Sequence, residues 1–224
     1  MLFIFIFFMI ISWLVQMRLK SKFAKYSQTQ LSSNLTGAEV AKLMLTDNGI
    51  SDVQIISVNG QLTDHYNPSD RTVNLSHDVF YGRNAAAAAV AAHECGHAVQ
   101  HATAYSFLQF RSAMVPVLTV TSTIMPWIIF GGIFLLQTTP IPLAIGVAFF
   151  ALTTLFSFIT LPVEFDASAR ALAWMTNRGI VTQPERAMAK DALWWAAMTY
   201  VISAISSLVT LLYYVMLLMG RSRD

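Results

Sequence analysis

The residues of this 224-residue chain best suited to chemistry are His93-Glu94-Cys95-Gly96-His97. On an α-helix, positions four apart lie about 40° apart in azimuth and about 6 Å apart along the axis. Two imidazoles so placed can converge on one tetrahedral cation, and a glutamate between them faces the same cleft as a general base. The plainer alternative is a pair of histidines that meet unrelated contacts on a packed helix. A hydrolytic zinc site needs one more protein ligand and an open position for water.

The choices for that ligand are few. His101 continues the same helix face, but it lies about 12 Å along the axis from His93, too far to share one ion on a straight helix. It is expected beside the site or at an ordinary surface position. A longer motif with a third histidine would need it at position 103, which is Thr103. His65 and His77 lie on turn-rich sequence, as polar loop residues or groups on the substrate side. Cys95 is the single cysteine, which excludes an intramolecular disulfide and a cysteine-cluster metal site. It points about 200° around the helix from His93 and reads as packing. Among the carboxylates, Glu164 and Asp166 stand immediately after an apolar run. Glu164 ranks first, because Asp166 can pair with Arg170 four residues on.

The elements that must position these residues are unusual for a soluble domain. Apolar residues make up 55% of the chain and charged residues 12%, against a usual charged share of about 25%. That balance excludes disorder, and a net charge of +2 supplies no basic field for nucleic acid. The charges are segregated. Residues 1–17, 113–136, 141–161 and 193–219 hold none of the 14 basic or 12 acidic side chains. Each of these runs approaches or exceeds the roughly 20 residues that cross a bilayer, the first being the shortest. Residues 1–17 lack a basic stretch before the apolar run and a small-residue cleavage site after it, so they read as an uncleaved anchor rather than a signal peptide.

Arg18, Lys20, Lys22 and Lys25 follow that anchor, and basic loops stay on the cytoplasmic side. The N-terminus is therefore expected outside, with 18–112 and 162–192 in the cytoplasm. Of the basic residues, only Arg221 and Arg223 then fall outside. The second and third spans leave and return to the same membrane face, which puts Glu164 on the side of His97. Pro116, Pro126 and Gly131-Gly132 are expected to kink or loosen the second span within a bundle.

The fold class is thus a mainly α membrane protein, with about four transmembrane helices and a small α/β cytoplasmic part carrying the metal-binding helix. Within that part, Thr36-Gly-Ala-Glu39 is a capping box for a helix that runs to about Leu45 and stops at Asn48-Gly49. Val53–Val58 and Arg71–Leu75 read as short strands. Asn84 caps a long helix that opens with Ala85–Ala92, carries the two histidines and continues toward Pro116. The alanines are first strong helix formers; that they admit a close neighbour comes second. Glu164–Asn177 reads as a helix after the third span, ending near Gly179. Thr182-Gln-Pro-Glu185 is a second capping box, starting a helix that runs into the fourth span.

Four segments carry a family resemblance. They are Leu62-Thr-Asp-His-Tyr-Asn-Pro68, Val73-Asn-Leu-Ser76, Val90-Ala-Ala-His-Glu-Cys-Gly-His-Ala-Val-Gln100 and Leu161-Pro-Val-Glu-Phe-Asp-Ala-Ser168. Together they resemble the YugP-type neutral zinc metallopeptidases of bacterial membranes, over nearly the whole chain. The resemblance implies an integral membrane endopeptidase of the cell membrane with one Zn2+. In it His93 and His97 are zinc-binding histidines, Glu94 is the catalytic acid/base and Glu164 is the glutamate ligand. More distantly the chain is similar to membrane gluzincins whose ligand motif is Glu-Phe/Tyr-x-Ala-Asp. Here Ser168 replaces that Asp, leaving Ser168 or Asp166 to steady a zinc-bound histidine.

Such an enzyme also needs a donor for the developing oxyanion, and Arg170, Tyr81 and His77 are open choices. The strand at 71–75 could pair with an extended protein or peptide substrate, or serve as an ordinary sheet partner. Two other classes compete: a non-catalytic zinc-binding membrane adaptor or chaperone, and a metal-ion transporter. The charge-free spans disfavour the transporter, because ion paths need polar groups at membrane depth. The orientation is open to direct test. A reporter fused after residue 30 is expected to be cytoplasmic, and its appearance outside would invert the scheme.

Overall fold

The computed structural model describes residues 2–220. Arg221 and Arg223, the basic pair expected outside, lie outside the described residues. Helix α1 (Leu2–Tyr26) is apolar through Met17 and basic toward its end. Helix α2 (Gly37–Asp47) starts with the expected capping box. The Glu39 N–H donates to Thr36 Oγ1 at 3.1 Å, and the Thr36 N–H donates to the Glu39 carboxylate at 2.7 Å. Two free amides of the helix start are thereby satisfied.

A three-stranded sheet follows, in the order β1-β3-β2. Strand β1 (Gln54–Val58) runs parallel to β3 (Thr72–Ser76), and β2 (His65–Asn67) runs antiparallel to β3. Both expected strands are present, the first starting one residue later and the second shifted by one residue. Strand β2 is too short for its alternation to show in the sequence. It also changes the reading of residues 71–75. Strand β3 is central and buried along its whole length, with a partner on each edge. It is an ordinary sheet partner, and its edges are closed to a substrate.

After a single turn, α3 (His77–Phe80), comes α4 (Ala85–Ala102), capped as expected by Asn84, whose Oδ1 accepts the Ala87 N–H at 2.9 Å. Helix α4 does not continue toward Pro116. It stops at Ala102, the chain turns at Ala104 with φ of 52°, and α5 (Ser106–Leu135) begins anew. Pro116 and Pro126 both lie inside α5 without ending it. Helix α6 (Ile141–Asn177) joins the third apolar run and the polar segment behind it in one helix that includes Pro162. A proline deletes one backbone hydrogen bond, and neighbouring helices make that tolerable; α5 and α7 flank α6 here. Helix α7 (Gln183–Gly220) runs unbroken into the fourth apolar run, with the Thr182 N–H donating to the Glu185 carboxylate at 2.6 Å.

Helices α1, α5, α6 and α7 are long and apolar enough to cross a membrane. They pack as neighbours in the order α5, α6, α7, α1, and leave large apolar side chains such as Phe3, Trp127 and Phe134 on their outer faces. Helix α4 packs against α6, α7 and α2. That setting explains its alanines: Ala85–Ala89, Ala91 and Ala92 are all buried, in a helix enclosed by neighbours.

Helix α4 comes close to the backbone of α6 at Gly96. A Cβ there would stand 2.6 Å from the backbone oxygen of Ala167 on α6. The obstacle is backbone, which cannot turn aside as a side chain could. Gly96→Ala is expected to destabilise the fold by about 1–3 kcal/mol, the cost of overpacking. Gly131, with nothing near its missing Cβ, is the control. Thermal unfolding in detergent should show a lowered midpoint for Gly96→Ala and none for Gly131→Ala.

Candidate metal centre

Residues 93 and 97 lie one turn apart on α4, and α6 brings Glu164 against both. The Glu164 Oε2 atom is 3.3 Å from His93 Nε2 and 3.6 Å from His97 Nε2. Donors held tetrahedrally at about 2.0–2.2 Å from one ion stand about 3.3–3.6 Å apart. The three ligand atoms all lie within 4.8 Å of one another. The chemistry fits as well: two neutral imidazoles and one carboxylate make a His2Glu set of the hydrolytic type. These residues can hold a metal ion.

The groups behind them fix their orientation. The amide nitrogen of fully buried Gln100 donates to Val163 O at 2.8 Å and to Asp166 Oδ2 at 2.8 Å. Its oxygen must then face His97 Nδ1, 3.0 Å away, so Nδ1 carries the proton and Nε2 presents a lone pair. Ser168 Oγ stands 3.1 Å from His93 Nδ1. Ser168 thus meets His93 directly, while Asp166 reaches His97 through Gln100. Asp166 also accepts from Arg170 Nε at 2.6 Å, the expected i, i+4 pair. On the far side of Glu164, Arg111 Nη1 lies 3.4 Å from Oε1.

Burial lowers the pKa of His97, but the adjacent Glu164 carboxylate more than offsets it, so the net shift is upward. A proton and a cation therefore compete for the same lone pair. Burial pushes the Cys95 thiol well above its ordinary value. Its Sγ meets Ala41 O at 3.6 Å, which agrees with a packing role.

Glu94 is buried, and its Oε2 accepts the Tyr66 N–H of β2 at 3.0 Å. It shares with His93 and Glu164 a cavity of about 170 Å3, walled by Phe23 of α1 and by Leu193 and Tyr200 of α7. Asp64 lines the same cavity; burial raises its pKa despite hydrogen bonds from Ser76.

The other residues singled out in the sequence lie elsewhere. His101 is exposed, and its Nδ1 is 2.7 Å from the Tyr66 hydroxyl. His65 Nδ1 meets Thr63 O at 2.8 Å on the surface. The His77 and Tyr81 rings meet at a tilt, with centroids 4.7 Å apart. Arg170 lies over the Tyr105 ring. None of Arg170, Tyr81 and His77 lines the cavity that Glu94 shares. Sequence reasoning missed Gln100, Arg111, Tyr66 and Tyr200. Only Gln100 left a signal, being three residues beyond His97 on the same helix face.

Four helices of membrane-crossing length and a largely buried His-His-Glu cluster that could hold a metal ion define the class of protein. The chain belongs to the family described as "Putative neutral zinc metallopeptidase", whose model matches residues 1–219. It is 42% identical over 215 residues to the Bacillus subtilis (strain 168) protein named "Putative membrane protease YugP", covering 96% of this chain and 95% of that protein. No solved structure matches it. Zinc is the metal that the family description names.

The arrangement behind the histidines can be tested without a substrate. Gln100→Leu is expected to weaken zinc binding about 10- to 100-fold, the usual loss when a ligand's hydrogen-bond partner is removed. Glu164→Gln should lose the metal, whereas Asp166→Asn should retain it. Zinc titration against a competing chelator measures all three, and retention by Glu164→Gln with loss in Asp166→Asn would reverse the assignment.

Proposed function

We propose that this protein is an integral membrane zinc-dependent endopeptidase, with Glu94 as its general base and acid. The observation that carries the reading is the shared cavity: buried Glu94 opens onto the same space as His93 and Glu164. His93 and His97 would hold zinc through Nε2 and Glu164 through its carboxylate. Zinc so held would lower the pKa of a water toward 7 and polarise the scissile carbonyl.

The remaining steps belong to the chain. Glu94 takes a proton from the attacking water as its oxygen bonds to the carbonyl carbon, and then delivers that proton to the departing amine as the C–N bond breaks. The Tyr66 N–H holds Glu94 in place for both transfers. Gln100 and Ser168 hold the imidazoles. The substrate is a protein or peptide. We place the site on the cytoplasmic side of the cell membrane with the N-terminus outside, a reading supported by the basic run Arg18–Lys25.

Glu94→Gln tests the reading. It should keep zinc and lower proteolysis at least 100-fold, about the smallest contribution expected of a general base. Comparison of membrane proteomes from cells carrying the wild type and the variant should show fragments that depend on Glu94. Unchanged proteolysis would end the endopeptidase reading, and a Glu94→Gln protein that still works in cells would favour a zinc-binding adaptor or chaperone.

A further inference from the structure

An endopeptidase of this kind must stabilise negative charge on the scissile carbonyl oxygen, and the three donors suggested by the sequence all lie away from the cavity. The side chains that do line it leave a short inventory. Asp64, Glu94 and Glu164 are acceptors when ionised. The Ser168 hydroxyl is engaged with His93 Nδ1. The Thr199 hydroxyl donates back to Ala196 O at 2.7 Å. Tyr200 is different: its phenol interacts with Glu164 and lies within electrostatic reach of Glu94. It is a hydroxyl-bearing side chain on the cavity wall that Glu94, His93 and Glu164 also line.

We propose that Tyr200 is a catalytic residue of this site, its phenol donating the hydrogen bond that stabilises the oxyanion formed when water adds to the scissile carbonyl. The proposal rests on the endopeptidase reading above. When the water oxygen bonds to the carbonyl carbon, the electron pair of the C=O bond moves onto oxygen, and the phenol O–H points toward that charge without transferring its proton. The pair returns as the C–N bond breaks. A donor fixed in a site with little water stabilises such charge far more than it would in bulk solvent.

Two alternatives for Tyr200 have structural answers. An aromatic near the end of an apolar run is often an interfacial anchor, and Trp194 on the same helix, 51% exposed, suits that role. Tyr200 is 37% exposed, yet it forms a wall of the cavity and meets a carboxylate that is itself 3% exposed. Arg111 also touches Glu164, but through Oε1 and from a separate cavity shared with His97 and Pro116. It meets that carboxylate from α5 and does not line the cavity of Glu94.

The test uses the full-length zinc-loaded protein and the peptide it cleaves best from an internally quenched library. Two inhibitors of that peptide sequence serve as probes: a phosphinic peptide, which mimics the tetrahedral oxyanion, and a thiol, which does not. Tyr200→Phe is expected to lower kcat about 100- to 1,000-fold with KM and zinc content unchanged. Phosphinate affinity should fall with kcat while thiol affinity holds. Undiminished kcat in Tyr200→Phe, in a protein whose cleavage depends on Glu94, would overturn the proposal alone. Parallel loss of zinc and of thiol affinity would also overturn it, because Tyr200 would then merely hold Glu164. Absence of any Glu94-dependent cleavage by the wild type would overturn the endopeptidase reading and the proposal together.

Discussion

Glu164 is a carboxylate almost completely removed from water, and the rest of the molecule is arranged around that burial. Desolvating such a charge costs several kcal/mol even after relaxation. The chain supplies two imidazoles at 3.3 and 3.6 Å and a guanidinium at 3.4 Å. Buried charge clusters are seldom the most stable way to fill a core, since apolar residues of similar volume often serve as well or better. The cluster is therefore better explained by what it can hold than by what it adds to stability. A His2Glu set, with the His97 tautomer fixed by Gln100, is an arrangement suited to a divalent cation.

Two features of the helix packing deliver that arrangement. Gly96 allows α4 to approach the backbone of α6 at Ala167, which sets the histidines opposite Glu164. Gln100 then bridges the same two helices with two hydrogen bonds, to Val163 and Asp166, and accepts a third from His97 on its own helix, which ties the His97 ring to α6. Because α6 continues from its apolar run through Glu164 to Asn177, the carboxylate of the cluster stands on a helix that also forms part of the membrane-length bundle. The charge-free stretches thus position the site as well as anchor the chain. Strand β2 completes it from the polar side, where the Tyr66 amide holds Glu94.

What the sequence made legible was local. The pentad on α4, the capping boxes, the four apolar helices and Glu164 after the third run all follow from spacing, period or charge within one segment. Asp166 was set aside for its i, i+4 pairing with Arg170, and it does make that pair. The misses share a different physical origin. Tyr200 and Arg111 reach Glu164 from α7 and α5, and nothing in their own segments says which helix faces they meet. The role of Gly96 depends on a backbone brought in from residue 167. The central place of β3 depended on β2, three residues long and flanked by turns. The donor candidates Arg170, Tyr81 and His77 were judged by residue type, and each proved engaged with a neighbour instead.

Whether His93, His97 and Glu164 together hold one zinc ion is the decisive point. X-ray absorption at the zinc edge of the purified protein tests it most directly. The account predicts one zinc per chain with nitrogen and oxygen ligands only, including the multiple-scattering signature of two imidazoles. That signal should vanish in the His93→Ala/His97→Ala double variant. A sulfur ligand, or zinc retained with the same spectrum in the double variant, would contradict it.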